Sequence, residues 1–257
     1  MSKRLAGKVA LISGGTRGIG LAMARAMLAE GADVMIASRK QDGVDAAIAE
    51  LESQRTDDWG RLRGRTAHVG EAAACADLVA TTEAQLGVID VLVNNAGTNP
   101  FFGPMLNISE VAFDKTFEVN LKSAWRLSVA ISKKLMAEKR PGSIINVSSV
   151  LGKRAAPFQG VYAMTKASMI SMTETFAIEL GGAGIRVNAI APGLIDTKLA
   201  AAITSNEPAQ KMFLDRTALR RVGLPADVAP LAVFLASDES SYITGATFPV
   251  DGGFLAN

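Results

Sequence analysis

The chain has 257 residues, with 27 lysines and arginines against 25 aspartates and glutamates, and a net charge of +2. This balance predicts neither a nucleic-acid partner nor binding to an anionic membrane, and no stretch approaches the roughly 18 apolar residues of a membrane span. One cysteine and one histidine exclude a disulfide framework and a zinc site built from clustered ligands. We expect a single domain without a metal, and the lack of a targeting segment predicts a cytoplasmic location.

Short β-rich runs alternate with longer helical patterns along the whole chain. The predicted strands, in chain order, are residues 9–13, 33–38, 66–69, 89–94, 143–148, 185–191 and 246–250. The predicted helices between them are residues 18–30, 41–54, 72–87, 109–138, 159–182 and 225–236. This alternation predicts an α/β protein with a parallel, doubly wound sheet, in which ligands bind at the carboxyl ends of the strands.

A glycine-rich turn joins the first predicted strand to the first predicted helix. Gly14, Gly18 and Gly20 are spaced so that backbone amides can approach a pyrophosphate at a helix N-terminus, and Ile19 belongs to the same turn. The spacing differs from Gly-x-Gly-x-x-Gly, so a plain strand-to-helix corner is the alternative. No Gly-Lys-Ser/Thr sequence follows, which excludes the phosphate-binding loop of nucleoside triphosphatases.

The end of the second predicted strand carries cations. About 20 residues after the glycine turn, an NAD enzyme places a carboxylate on the ribose hydroxyl, whereas an NADP enzyme needs positive charge for the 2'-phosphate. Here the chain reads Ser38, Arg39 and Lys40, and Arg17 in the glycine turn could contact the same phosphate. The sequence therefore predicts NADP(H) as the preferred cofactor and NAD(H) as a possible one, with a solvated loop as the alternative.

Tyr162 and Lys166 are four residues apart in a predicted helix, so they lie on the same face. A free phenol has a pKa of about 10, too high for efficient proton transfer near neutral pH. A positive charge roughly 5 Å away, at an effective dielectric constant of about 20, favours the phenolate by about 3 kcal/mol, or roughly two pKa units. We therefore expect Lys166 to lower the pKa of Tyr162.

Several short motifs occur together in one order. They are the glycine turn, Asn94-Asn95-Ala96-Gly97, Asn120, Ser149, Tyr162, Lys166 and Pro192-Gly193. Their joint order resembles the short-chain dehydrogenase/reductase family over residues 7–253, and the runs 68–70, 99–103 and 241–245 look like the NADP-dependent carbonyl and retinal reductases within it. The resemblance implies a single-domain Rossmann fold over residues 1–257 with seven parallel strands, a substrate lid at about 194–223, and a homotetramer.

The same resemblance implies four catalytic residues. Tyr162 would be the general acid/base, Lys166 would lower its pKa and hold the nicotinamide ribose, and Ser149 would hydrogen-bond the substrate oxygen. Asn120 would hold a water that passes protons to Lys166. Ser148 is the near alternative to Ser149, but the thirteen-residue spacing from Ser149 to Tyr162 matches the family. The implied reaction is NADP(H)-dependent interconversion of a carbonyl and an alcohol by hydride transfer.

Further cofactor contacts are implied by position alone. They are His68, Val69, Asn94, Asn95, Ala96, Gly97, Pro192, Gly193, Ile195 and Thr197. His68 and Val69 would lie near the adenine, and Ile195 and Thr197 near the carboxamide and phosphates. The family more often has aspartate where His68 stands, so a loop histidine without a role is the alternative. Capping of a strand end is the alternative for Asn94 and Asn95.

Apolar residues predict a small hydrophobic substrate. Phe101, Phe102, Leu151 and Phe158, together with Leu199, Ile203, Met212, Phe213 and Leu214 of the lid, would form an apolar pocket, unless they are ordinary core residues. We expect a moderately hydrophobic ketone, aldehyde or secondary alcohol.

Two other functions remain open from the sequence. A 3-oxoacyl-[acyl-carrier-protein] reductase needs basic residues beside the cleft, and Lys139 and Arg140 could serve. Those reductases commonly have an arginine before the glycine that stands here as Gly184, whereas this chain has Ala183. The other alternative is a non-catalytic cofactor-binding sensor or scaffold, which the presence of all four catalytic residue types disfavours.

Overall fold

The computed structural model describes residues 3–257, which fold around one seven-stranded sheet. The strands are β1 (Val9–Ser13), β2 (Asp33–Ser38), β3 (Leu62–Thr66), β4 (Val91–Asn94), β5 (Gly142–Val147), β6 (Ile185–Pro192) and β7 (Thr247–Val250). All neighbouring strands are parallel, in the order β3-β2-β1-β4-β5-β6-β7. The predicted seven-stranded parallel sheet is confirmed.

The helices follow the predicted alternation, with one interruption. They are α1 (Gly18–Ala29), α2 (Gln41–Glu52), α3 (Ala72–Leu86), α4 (Glu110–Phe117), α5 (Ser123–Ala137), α6 (Gly160–Gly181), α7 (Ala201–Thr204), α8 (Glu207–Leu214) and α9 (Pro225–Ala236). The single helix predicted over 109–138 is α4 and α5 joined by a π-helical turn at Glu118–Lys122. Such turns occur often at functional sites, and this one contains Asn120.

Helices cover both faces of the sheet because successive residues of a strand point in opposite directions. In β1, Ala10 and Ile12 belong to the core that includes residues of α1 and α9. Val9 and Leu11 belong to a second core, formed with residues of α3, α5 and α6. All five residues of β1 are buried, as expected for a central strand of a doubly wound sheet.

The third strand was predicted at 66–69, and the structure places it four residues earlier. β3 lies at the edge of the sheet, and Leu62 is its only buried residue. An edge strand covered on one side needs few apolar side chains, so its sequence lacks the usual strand signal. Ala67 and Val69, which lie within the predicted range, are buried beyond the end of the strand.

Residues 194–223, between β6 and α9, contain two short helices, α7 and α8. A parallel bridge joins Ile195 to Gly223 at the base of this segment. The Asp196 amide donates to the Gly223 carbonyl at 2.8 Å, and the Gly223 amide donates to the Leu194 carbonyl at 2.9 Å. The two ends of the segment are thus hydrogen-bonded to each other. Within residues 3–257, no helix has the length and apolar character needed to cross a membrane.

Candidate active site

A cleft of about 450 Å³ opens at the carboxyl ends of β1, β2 and β4. The predicted cofactor residues that line it are Gly14, Arg17, Gly18, Ile19, Ser38, Arg39, Val69, Asn95, Ala96, Gly97 and Thr197. An inner pocket of about 170 Å³ follows at the ends of β5 and β6 and is lined by Ser149, Tyr162, Lys166, Pro192, Gly193 and Ile195, among others. Ile19, Asn95, Gly97, Thr197 and Leu199 line both spaces, which are therefore continuous.

The glycine turn at the floor of the cleft requires its glycines. Gly14 has a φ of +67°, a conformation that glycine adopts without strain. A Cβ on Gly20 would lie 2.2 Å from the Gly14 carbonyl oxygen and 2.5 Å from Nδ2 of Asn95. α1 begins without a side-chain cap and without an acidic residue in its first turn, so its first amides remain available to an anion. These features fit the pyrophosphate of a dinucleotide.

Asn95 holds the glycine turn through its side chain. Its Nδ2 donates to the carbonyl oxygens of Ser13 at 3.2 Å and Gly14 at 2.9 Å. Asn94 has a different environment, because it is 2% exposed and donates to Oδ1 of Asn146 at 2.9 Å. The geometry supports a structural role for Asn94 and a positioning role for Asn95, which also lines the cleft.

Positive charge dominates the wall of the cleft. Arg17, Arg39 and Lys198 line it together with one carboxylate, Asp196, so three cations against one anion leave a local net charge of +2. Within residues 3–257, none of these three cations forms an ion pair. Unpaired cations around a concave space suit a phosphorylated ligand. The sequence analysis missed Lys198, whose only signal was a basic residue directly after Thr197.

His68 does not line the cleft, although both neighbours Ala67 and Val69 do. Its ring lies against Gly70, where a Cβ would be 2.9 Å from Cε1 of His68, and its Nδ1 is 3.8 Å from a carboxylate oxygen of Glu71. Neighbouring side chains of an extended stretch point to opposite sides, so His68 faces away. The adenine contact of His68 stays a prediction, and only its neighbours Ala67 and Val69 line the cleft in this structure.

The inner pocket brings three of the predicted catalytic residues together. Tyr162 and Lys166 lie one turn apart on α6, with Nζ of Lys166 5.6 Å from the centre of the Tyr162 ring. Ser149 follows β5, and its Oγ accepts a hydrogen bond from the Leu151 amide at 3.1 Å. Lys166 is buried, and its Nζ donates to the Val147 carbonyl oxygen at 2.7 Å.

Burial determines the proton affinities of this pair. It raises the pKa of Tyr162 to about 12, and hydrogen bonding by the Ser149 hydroxyl opposes the shift. It lowers the pKa of Lys166 to about 8. The net shift of the Tyr162 pKa is therefore upward, opposite to the expected direction, because burial outweighs any stabilisation of the phenolate by Lys166. Removal from water disfavours the charged forms of both groups, the Tyr162 phenolate and the Lys166 ammonium. The ammonium nitrogen keeps its hydrogen bond to the Val147 carbonyl oxygen.

Asn120 uses its side chain to fasten a neighbouring loop. Its Oδ1 accepts from the Thr98 amide at 2.7 Å, and its Nδ2 donates to the Thr98 carbonyl at 2.9 Å and to Oγ1 of Thr165 at 3.1 Å. Both Nδ2 hydrogens are thus in use. Asn120 connects the π-helical turn to the cleft wall and to α6, beside Lys166.

Ser148 and Ser149 have different partners. The Ser148 hydroxyl donates to the Lys166 carbonyl at 2.8 Å, which ties β5 to α6. The Ser149 hydroxyl instead hydrogen-bonds to the phenol of Tyr162. This difference agrees with the choice of Ser149 as the candidate substrate contact.

Comparison with known proteins places this chain in a family. A family profile described as Enoyl-(Acyl carrier protein) reductase matches residues 14–255. The human protein Dehydrogenase/reductase SDR family member 4 is 39% identical over 249 residues, which cover 97% of this chain and 88% of the human one. This chain belongs to the short-chain dehydrogenase/reductase family.

Solved structures of short-chain dehydrogenases/reductases share the fold. A protein of Sinorhizobium meliloti described as a short-chain alcohol dehydrogenase has a TM-score of 0.93 at 33% identity, with 100% of both chains covered. A gluconate 5-dehydrogenase of Burkholderia cenocepacia, solved in complex with NADP and tartrate, has a TM-score of 0.92 at 30% identity, covering 100% of this chain and 98% of that one. The oxidoreductase family and the Rossmann-like fold expected from the sequence are confirmed.

In this short-chain dehydrogenase/reductase the inner pocket is largely apolar. Of the predicted substrate contacts, Phe102, Leu151, Leu199, Ile203 and Phe213 line it. Phe101, Phe158, Met212 and Leu214 do not line it. A polar pair was missed by the sequence analysis, because Nδ2 of Asn99 donates to Oε1 of Gln159 at 3.3 Å and both residues line the pocket.

Lys139 and Arg140, the two basic residues considered for docking a carrier protein, lie at the edge of the sheet opposite to the cleft. Arg140 donates through Nη2 to Oδ1 of Asp90 at 2.5 Å, and Oδ2 of Asp90 accepts from the Val9 amide at 2.9 Å. Asp90 and Arg140 precede β4 and β5, so they mark the amino ends of the strands, whereas the cleft lies at the carboxyl ends. The placement of Lys139 and Arg140 beside the cleft is therefore wrong.

Proposed function

We propose that this protein is an NADP(H)-dependent oxidoreductase that interconverts a ketone or aldehyde with the corresponding alcohol. The observation that carries the proposal is the shared pocket of Ser149, Tyr162 and Lys166, continuous with a cleft that carries a net charge of +2. One space can receive a phosphorylated dinucleotide and the other a small molecule beside a proton donor. A sensor or scaffold would need only the first.

The proposed chemistry uses the inner pocket residues in distinct ways. Bound nicotinamide supplies or accepts the hydride. Tyr162 is protonated near neutral pH, because burial raises its pKa to about 12, and its transfer of a proton to a carbonyl oxygen requires that the phenolate left behind be stabilised. Ser149 donates a hydrogen bond to the same oxygen, which stabilises the charge that develops there. Lys166, when protonated, stabilises the Tyr162 phenolate that remains.

The proposed preference for NADP(H) rests on Arg17, Ser38 and Arg39. Ser38 ends β2, Arg39 follows it, and Arg17 precedes α1, so all three meet at the same end of the cleft wall. A guanidinium group binds phosphate oxygens in a planar, bidentate manner. The Burkholderia cenocepacia relative was solved in complex with NADP, which supports a phosphorylated dinucleotide as the ligand.

We further propose that residues 194–223 form the substrate lid of a homo-oligomer. Leu199, Ile203 and Phe213 of this segment line the inner pocket. Trp125 on α5 and Ile178 on α6 are apolar side chains that remain 50% and 84% exposed in a single chain, which supports burial between subunits. Sedimentation equilibrium tests the expected tetramer, and a monomer at micromolar concentration would contradict it.

The decisive experiment compares NADPH and NADH oxidation across one substrate panel. The panel contains diketones, aromatic ketones, retinal-like aldehydes and a 3-oxoacyl thioester, with secondary alcohols and NADP+ for the reverse direction. We expect turnover with NADPH well above turnover with NADH. The best carbonyl separates a carbonyl reductase from an acyl-chain reductase.

Each outcome has a defined meaning. A preference for NADH overturns the role of Arg17, Ser38 and Arg39 but leaves the Tyr162 chemistry standing. Fastest turnover of the 3-oxoacyl thioester favours the acyl-chain alternative. Binding of NADPH without turnover in either direction contradicts the enzyme proposal and favours a cofactor-binding sensor.

A further inference from the structure

We infer that Asn99 and Gln159 form a second binding point in the inner pocket, which holds a hydroxyl group of the substrate close to the carbon that reacts. The inference rests on the proposed carbonyl–alcohol chemistry and adds a substrate class to it, the hydroxyketones and the corresponding diols. Both side chains line the pocket together with Tyr162, and Nδ2 of Asn99 donates to Oε1 of Gln159 at 3.3 Å. Isolated polar groups in a largely apolar pocket fix the orientation of a ligand.

The position of Gln159 brings its amide close to the reacting group. Gln159 lies three residues before Tyr162, at the start of α6. Its carbonyl oxygen accepts from the Ala163 amide at 2.9 Å, as in a first helical turn. Side chains three residues apart on a helix are neighbours, with about 5–6 Å between their Cβ atoms. A substrate whose carbonyl oxygen binds Tyr162 therefore brings its adjacent carbon atoms within reach of Gln159.

The backbone beside Gln159 is held in an uncommon conformation. Phe158, the preceding residue, has a φ of +66°, a left-handed conformation that strains a bulky residue and that occurs mostly at functional sites. Its carbonyl oxygen accepts from the Gly103 amide at 3.0 Å, and its ring centre is 5.9 Å from that of Phe102. These contacts tie the segment that carries Asn99 to the start of α6. The two amides are thus positioned before a ligand binds, which lowers the cost of binding.

The amide pair offers both a hydrogen-bond donor and an acceptor. Within residues 3–257, the only side-chain hydrogen bond of either residue is the one between them, which leaves Nε2 of Gln159 as a donor and Oδ1 of Asn99 as an acceptor. Neither atom is a buried atom without a partner, so both are open to a ligand. A hydroxyl group uses both of them, whereas a carbonyl oxygen would leave the acceptor unpaired.

The charges around the inner pocket favour a neutral group over a carboxylate at this point. Lys166 is the only charged residue of the described chain that lines this pocket, and its Nζ donates to the Val147 carbonyl oxygen at 2.7 Å. A carboxylate bound at Asn99 and Gln159 would lose water without gaining a cation. In the proposed reduction the hydride goes to the carbonyl carbon and a proton to its oxygen. The neighbouring hydroxyl group is unchanged and serves binding only.

The test compares three aryl ketones that differ only in the group attached to the carbonyl. α-Hydroxyacetophenone carries a hydroxymethyl group, propiophenone carries an ethyl group of nearly the same size, and benzoylformate carries a carboxylate. With NADPH as cofactor, kcat and KM are measured for the wild type, Gln159→Leu, Asn99→Leu and the double variant. In the wild type we expect kcat/KM for the hydroxyketone to exceed both other values by at least about tenfold, as for one or two neutral hydrogen bonds.

The informative quantity is the ratio of kcat/KM for the hydroxyketone to kcat/KM for propiophenone. A general loss of activity cancels within this ratio, and the intrinsic reactivity of each ketone is the same for every variant. We expect the ratio to fall by about tenfold in Gln159→Leu and in Asn99→Leu, mainly through a higher KM for the hydroxyketone. The double variant should lose little more, because both amides bind one hydroxyl group.

Gln85→Leu is the matched control, because Gln85 is an exposed glutamine on α3 that lines neither space. Its ratio should equal that of the wild type. A ratio that keeps its wild-type value in both Gln159→Leu and Asn99→Leu would overturn the inference and leave the proposed function standing. Equal use of the hydroxyketone and propiophenone by the wild type, or a preference for benzoylformate, would also overturn it. A wild type that reduces none of the three ketones would overturn the proposed function, and the inference with it.

Discussion

Lys166 lies one helical turn from Tyr162, with its ammonium nitrogen 5.6 Å from the centre of the phenol ring. Burial acts on the two groups in opposite directions, raising the pKa of Tyr162 to about 12 and lowering the pKa of Lys166 to about 8. A proton donor and a cation with a pKa near the physiological range are thus side by side in the same pocket.

Tyr162→Phe should reduce turnover by at least about a hundredfold, because the proton donor is lost. The NADPH dissociation constant should change by less than about twofold, since the phenol is in the inner pocket and the phosphates bind elsewhere. Tyr242→Phe is the matched control, because Tyr242 is the only other tyrosine and is fully exposed. A Tyr162→Phe enzyme that keeps most of its activity would refute the proposed chemistry.

The buried Lys166 should make the stability of the unliganded protein depend on pH. Its pKa is about 8 in the folded state and about 10.4 when unfolded, so between these values the unfolded state binds more protons and the free energy of unfolding rises with pH. Between pH 8 and 9.5 the rise should be about 2 kcal/mol relative to Lys166→Met. Urea unfolding of both proteins at several pH values measures this difference.

Below pH 8 the two curves for the wild type and Lys166→Met should run parallel, because Lys166 is then charged in both states. Tyr162 has the opposite effect at higher pH. Its pKa is raised to about 12 in the folded state, so the unfolded state loses the phenol proton first and the free energy of unfolding falls between about pH 10 and 12. The measurement therefore stays below pH 10. Parallel curves across pH 8 to 9.5 would mean that Lys166 is not buried in solution.

Arg39→Gln should weaken NADPH binding by at least about tenfold and leave NADH binding nearly unchanged, because only NADPH carries the 2'-phosphate. Lys40→Gln is the control, since Lys40 is the adjacent cation and does not line the cleft. It should have a much smaller effect. Equal losses of NADPH and NADH affinity in Arg39→Gln would contradict the assignment of Arg39 to that phosphate.

Gly20→Ala should destabilise the protein and abolish cofactor binding. The added methyl group would lie 2.2 Å from the Gly14 carbonyl oxygen, so the turn must move, and overpacking of this kind costs about 1–3 kcal/mol or more. Gly181→Ala is the control, because a Cβ there meets no atom within 4 Å and alanine favours a helix. Thermal unfolding should show a lower Tm for the first variant and an equal or higher Tm for the second.

The points that the sequence missed or left open have related physical causes. β3 was misplaced because an edge strand with one buried residue carries no apolar pattern. His68 was assigned a contact from its position in the chain, but the direction of its side chain depends on where the preceding strand ends. Lys198 was overlooked because its place in the wall of the cleft depends on how the segment after β6 folds back over the sheet.

The sequence by itself determined the order of strands and helices, the parallel sheet, the glycine turn and the spacing that brings Tyr162 and Lys166 to one face of α6. These features depend on local periodicity and on residues with special backbone freedom, which act over a few positions of the chain. The tertiary structure alone decided the pKa values of Tyr162 and Lys166, the direction of His68 and the placement of Lys198. Burial, and distances between residues far apart in the chain, arise only when all the elements pack together.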